Sequence, residues 1–227
     1  MTALSKFSAV LLDMNSTFMF GEDRFGADEN FFEYYRTTKG QLSEEAVDDI
    51  IRSAYSYLDR LYPDPEYRES FPTLEIAIRS VVKEQLPNHE IDSLIATFAY
   101  HELGHIPPNY ADAIRTLADT YLLGAVIDIW APKDCWIDEF RRTNVYHCFS
   151  AFSFSSDIGA VKPSTLGFLR VAKQLGVAPA NVIVIGDSTR RDLGGAIAAG
   201  MECILVGGET DSRAYCVAKN LLEIVHG

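Results

Sequence analysis

The chain has 227 residues, of which 48% are hydrophobic, and a formal net charge of −12. This length and apolar content exclude a disordered chain and allow one large domain, or a core domain carrying a smaller insert. The acidity argues against a nucleic-acid partner: the densest basic clusters are only the pairs Arg141-Arg142 and Arg190-Arg191, and phosphate backbones would be repelled.

Residues 7–12 (FSAVLL) form a short apolar run that stops at Asp13. Such a run suits a strand buried on both faces. It is too short for a signal peptide or a bilayer span, so a cytoplasmic protein with no membrane partner is expected. Residues 18–107 read as helices with almost no strand signal. Ser43 is placed to cap a helix running to Leu61, with Ala46, Val47, Ile50, Ile51, Ala54, Tyr57 and Leu58 on its apolar face. Thr73 is expected to cap a second helix to Leu86, and Asn88 a third to Leu103. Pro63, Pro65, Pro72, Pro87, Pro107 and Pro108 punctuate the segment. Phe31, Phe32, Tyr34 and Tyr35 read as core of this insert, with Arg36 and Lys39 nearby as candidate anion binders.

The pattern then changes near Asn109. Apolar runs at 122–129, 148–154, 182–185 and 203–206 alternate with helical patterns at 132–143, 163–175 and 188–199. Gly176 and Gly200 are placed to stop the last two helices. Strands alternating with helices predict an α/β fold: a doubly wound parallel sheet with helices on both faces. The core is expected from residues 1–17 and 108–227, and the helical insert from 18–107. Cys135, Cys148, Cys203 and Cys216 form no CxxC pair and read as small buried residues in a reducing compartment.

In open α/β sheets, ligands bind at the carboxyl ends of strands where the winding reverses. Asp13 ends the first strand and Asp187 ends the fourth, in Val-Ile-Gly-Asp-Ser (184–188). Two converging carboxylates repel unless one is protonated or a cation joins them. Asp192 falls in the first turns of the next helix and can point to the same place. Lys162 precedes Pro163, which suits a first helical position, so its ammonium and a helix N-terminus together form an anion site. A rival signal is His101-Glu102-Leu103-Gly104-His105, an HExxH match for zinc. Pro107 and Pro108 end the helix at once, which favours two ordinary histidines at a helix end.

The set Leu-Leu-Asp13-Met-Asn15-Ser-Thr17, Gly-Ala-Val-Ile127-Asp128, Val-Lys162-Pro-Ser and Gly186-Asp187-Ser188-Thr-Arg-Arg-Asp192 resembles the haloacid dehalogenase-like superfamily. Order and spacing match its pattern, and the helical insert looks like the cap of its phosphoglycolate phosphatase and dehalogenase branch. The resemblance implies that Asp13 is a nucleophile forming an aspartyl-phosphate. It implies Mg²⁺ held by Asp13, the backbone carbonyl of Asn15 and Asp187. Lys162 would neutralise nucleophile and phosphoryl oxygens, Asp192 would orient Lys162 or a metal water, and Thr17 and Ser188 would support them. The expected substrate is a small phosphorylated metabolite, and the expected assembly a monomer or homodimer. Two positions depart from the pattern. Asn15 replaces the general-acid Asp, and Ile127 replaces the phosphoryl-binding Ser or Thr, with Asp128 beside it and backbone amides at 127–129 as substitutes. Dehalogenase-like or phosphonatase-like chemistry, or a degenerate phosphate-binding protein, therefore stand as alternatives.

Overall fold

The computed structural model describes residues 4–226. Six parallel strands form one sheet in the order β3-β2-β1-β4-β5-β6: β1 Ala9–Leu12, β2 Leu122–Ile127, β3 Phe149–Phe154, β4 Val182–Gly186, β5 Glu202–Leu205 and β6 Cys216–Val217. The expected doubly wound α/β sheet is present. β1 is buried throughout and its side chains divide between two cores. Ala9 and Leu11 face Phe168, Val171, Leu193 and Ala196. Val10 and Leu12 face the other way, into a core shared with Ile114, Trp136, Phe140 and Leu221. This alternation is why a strand between two helical layers must be apolar at every position.

The helices run α1 Phe31–Tyr35, α2 Glu44–Leu61, α3 Leu74–Val81, α4 Asn88–Glu102 and α5 Pro108–Ala118 between β1 and β2. Then come α6 Asp134–Arg142, α7 Ser155–Ile158, α8 Thr165–Leu175, α9 Gly194–Ala198 and α10 Leu221–His226. Ser43 Oγ accepts the Ala46 amide and starts α2 as expected, and Thr73 Oγ1 does the same for Ile76 and α3. α3 stops at Val81, short of residue 86: Val82 is extended, where the β-branched pair and the approaching Pro87 disfavour another turn. Pro87, rather than Asn88, takes the cap position of α4, and the Asn88 side chain accepts from Arg79 instead. Gly176 ends α8 at φ +70°, a left-handed conformation glycine adopts without a Cβ penalty.

α1 to α4 make the helical cap over the carboxyl ends of β1, β2 and β4. The cap's apolar residues, among them Val47, Ile51, Leu58, Leu94 and Phe98, belong to the same buried cluster as one face of the sheet. Backbone bonds also cross between them: the Phe71 amide donates to Gly159 at 2.8 Å and the Val161 amide to Arg68 at 2.9 Å. The four cysteines carry free thiols, Cys148 and Cys203 buried and the other two half-buried. Among the described residues, no helix is long and apolar enough to cross a membrane.

Candidate active site

Leu12 pairs with Ile185 across β1 and β4, and the Asp13 amide donates to the Ile185 carbonyl at 2.9 Å. This register brings the tips of the two strands together. Asp13, Asp187 and Asp192 each offer a carboxylate oxygen within 4.8 Å of the other two. Lys162, arriving from the loop between α7 and α8, donates to Asp13 and to Asp192, the latter at 2.8 Å. Thr17 Oγ1 donates to the second Asp13 oxygen at 3.0 Å. The second Asp192 oxygen accepts the Ser188 amide at 3.1 Å, while Ser188 Oγ accepts the Arg191 amide at 3.2 Å. Asp192 lies in a π-helical turn, Thr189–Leu193, that aims its carboxylate back at the strand tip. Gly186 makes room for it: a Cβ there would stand 2.4 Å from Asp192 Cγ.

Burial and charge act together on these groups. Desolvation pushes the Asp13 pKa up, Asp192 adds to it, and Lys162 opposes it. Burial disfavours the Lys162 ammonium, yet Asp13, Asp192 and Asp128 hold its pKa well above normal. Asp187 is raised by burial and by Asp192, against the attraction of Arg191, whose guanidinium lies 3.5 Å away. A cluster that raises carboxylate pKa values in this way attracts a further cation, and its donors are hard oxygens. Asn15 adds a buried Oδ1 with no hydrogen-bond partner among the described residues. The donor set therefore fits a divalent ion such as Mg²⁺ and lacks the nitrogen or sulfur ligands of zinc.

Ile127 points into the apolar core and is 1% exposed, so its side chain offers nothing polar to a ligand. The Ile129 amide is taken by Ser155 Oγ at 2.9 Å, which removes one of the backbone donors expected to stand in for the missing hydroxyl. Asp128 does line the cavity, but its Oδ2 accepts from Tyr62 Oη at 2.7 Å and from the Lys162 amide at 2.9 Å. The carboxylate is thereby turned into a link between the cap and the lysine loop. Pro163 precedes the Ser164 cap of α8 instead of occupying its first turn, so Lys162 stands outside the helix N-terminus.

A small cavity of about 70 Å³ opens above Asp13, lined by Asp13, Asn15, Asp23, Tyr62, Glu102, Asp128, Trp130, Lys162 and Arg191. Tyr62 and Trp130 stand 5.8 Å apart at a steep angle and form its aromatic wall. Arg36 and Lys39 lie at the surface and take no part in it, and Phe31 and Tyr35 are buried in the cap. Asp23, Tyr62, Trp130 and Arg191 were not singled out by the sequence. Only Arg191 carried a signal, as a charge inside the Gly186–Asp192 motif. Glu102 was visible as part of HExxH, but its work is different. The helix ends at Glu102, and the carboxylate accepts the Trp130 and Ala131 amides at 2.6 and 2.9 Å, fixing the loop after β2. Burial raises its pKa to about 8, partly offset by those two bonds. His101 packs on Phe31 inside the cap, and the His105 backbone pairs with Phe20, so the two imidazoles do not make a zinc site.

A strand-tip acidic cluster beneath a helical cap, on a sheet of this order, defines a hydrolase of the haloacid dehalogenase type. A family profile described as HAD-hydrolase-like matches residues 160–221. The chain is 31% identical over 190 residues, 73% of its length and 77% of the relative's, to the glyceraldehyde 3-phosphate phosphatase of Methanopyrus kandleri. It belongs to the haloacid dehalogenase-like hydrolases. Among solved structures, a 2-haloacid dehalogenase from Pseudomonas syringae superposes with a TM-score of 0.67 at 20% identity, covering 96% of both chains. A HAD phosphatase from Thermococcus onnurineus gives 0.65 at 21% identity over 96% of this chain and 95% of that one.

Proposed function

We propose that the protein is a Mg²⁺-dependent phosphatase, acting on a small phosphorylated metabolite in the cytoplasm through an aspartyl-phosphate on Asp13. The observation that carries this reading is the Asp13–Lys162–Asp192 chain of charge-assisted hydrogen bonds, set beside Asp187 at the tips of adjacent strands. Asp13 presents a carboxylate oxygen to phosphorus. The bond from Asp13 to phosphorus forms as the bond to the leaving alcohol breaks, and water then attacks phosphorus and frees Asp13. Lys162 faces the charge that builds on the phosphoryl oxygens, and Asp192 keeps its ammonium in place. Asp13, Asp187 and the backbone at Asn15 are the groups that would hold Mg²⁺, which supplies charge neutralisation between carboxylate and phosphate.

The cavity suits a compact substrate, since its enclosed part holds only about 70 Å³ between Asp13 and the aromatic wall. The cap, residues 18–107 in our assignment, supplies Asp23, Tyr62 and Glu102 to its walls. The Methanopyrus relative is named for a three-carbon phosphate ester, which makes triose phosphates the first substrates to assay. The test is phosphate release from a panel of phosphomonoesters with and without Mg²⁺. Turnover must vanish in Asp13→Asn; unchanged activity in that variant would refute the assignment.

A further inference from the structure

The phosphatase reading leaves a chemical gap. An alkoxide leaving group needs a proton and an attacking water must lose one, yet the Asn15 amide can supply neither service. Other carboxyls line the cavity or stand at the strand tips beside it, and most are committed. Asp192 is bound by Lys162 and Ser188, Glu102 by Trp130 and Ala131, and Asp128 by Tyr62 and Lys162. Asp187 faces Arg191. Asp23 is different: it lines the same cavity as Asp13 and Asn15, and its carboxyl has no hydrogen-bond partner among the described residues.

Its position is fixed from several sides. The Ser16 amide donates to Glu22 Oε1 at 3.1 Å, which ties the neighbour of Asp23 to the neighbour of Asn15. The Asp23 amide donates to Glu102 O at 3.3 Å, and the next amide, Arg24, to His101 O at 2.9 Å. Arg24 Nη1 adds a bond to the Leu103 carbonyl at 2.7 Å. Asp23 itself stands at φ +55°, a left-handed conformation that Asp and Asn tolerate better than most side chains.

We propose that Asp23 is the proton-transfer residue of this enzyme, doing from the cap the work that Asn15 cannot do from the first strand. The inference rests on the phosphatase reading. In the first step the Asp23 carboxylic acid gives its proton to the ester oxygen as the phosphorus–oxygen bond breaks. In the second, the Asp23 carboxylate takes a proton from water as its oxygen attacks the aspartyl-phosphate. The residue returns to its acid form and no other co-reactant is needed. Partial dehydration in the cleft, with Glu22 and Asp59 nearby, lifts the Asp23 pKa to about 6 against the pull of Arg191; Glu102 and Tyr55 also face it. Both protonation states are thus populated near neutrality.

The experiment compares an alkyl ester, glycerol phosphate, with 4-nitrophenyl phosphate, whose leaving group departs without a proton. Asp23→Asn keeps the left-handed backbone and removes the titration. It is expected to cut kcat/KM for glycerol phosphate about 10²-fold or more, with a far smaller loss on the aryl ester. The descending limb of the wild-type pH profile near 6 should vanish, and Asn15→Asp in the Asp23→Asn background should restore alkyl turnover. Asp23→Gly, which also accepts the backbone angle, should behave as Asp23→Asn does. An unchanged alkyl-to-aryl ratio in both variants, or a double variant no better than Asp23→Asn, overturns the proposal. Those results with Asp13→Asn inactive sink Asp23 alone; an active Asp13→Asn sinks the phosphatase reading itself.

Discussion

Replacing Lys162 by methionine keeps the side chain's bulk and removes its charge. The side chain is 3% exposed, and its partners Asp13 and Asp192 are 10% and 1% exposed. Removing one partner of a buried ion pair leaves an uncompensated charge and costs about 3–5 kcal/mol. A domain has only about 5–15 kcal/mol in total, so the loss is a large fraction of stability. At this size each kcal/mol moves Tm by about 2–4 °C, which predicts a fall of roughly 6–20 °C. The pH dependence identifies the cause. Asp13 already has a raised pKa, and loss of Lys162 raises it further. A carboxyl of that kind supports the fold fully below its unfolded value of 3.8 and loses that support as pH rises through the folded value. The deficit of the variant must therefore shrink between pH 7.5 and pH 5. Urea unfolding in the presence of a chelator, at both pH values, measures it. A difference under about 1 kcal/mol at pH 7.5, or one independent of pH, would refute the reasoning.

Glu102→Ala should cost about 1–3 kcal/mol in urea unfolding, because the Trp130 and Ala131 amides lose their acceptor. With a folded pKa of about 8, Glu102 makes the wild type less stable as pH climbs from its unfolded value of 4.5 through 8, and Glu102→Gln should flatten that slope. Gly195→Ala places a Cβ 2.4 Å from the Phe168 ring, where α9 crosses α8, and should destabilise by about 1–3 kcal/mol, relieved by Phe168→Leu in a double-mutant cycle. Stripping divalent cations with a chelator should abolish phosphate release and Mg²⁺ should restore it; full activity in chelator would speak for attack by Asp13 without a metal.

The strand tips were legible in the sequence because their signals are local and physical. An apolar run closed by a carboxylate, as at 9–13 and 182–187, is what a strand buried on both faces must look like where it reaches solvent. Gly186 before Asp187 marks a close approach that Asp192 fills. Cap helices were visible wherever Ser43 and Thr73 stood before amphipathic periods. What the sequence withheld were relationships made by packing across long separations. Nothing local says that Glu102 reaches the amides of Trp130 and Ala131, or that Tyr62 reaches Asp128. Asp23 lay hidden for the same reason: one acidic residue among many, distinguished only by the walls around it. The strand β6 is two residues long and too short to show a period.

The order of the sheet has a consequence for how the protein is made. β1 sits in the middle, hydrogen-bonded to β2 on one side and β4 on the other. It emerges first from the ribosome, while its second neighbour is complete only at Gly186. At about 5–20 residues per second, the strand bearing Asp13 waits roughly 9–35 s for that partner. The cap, whose contacts are close in sequence, can form during the wait. Vectorial synthesis thus delivers the lid before the floor, and Asp13 is shielded only when the last third of the chain has arrived.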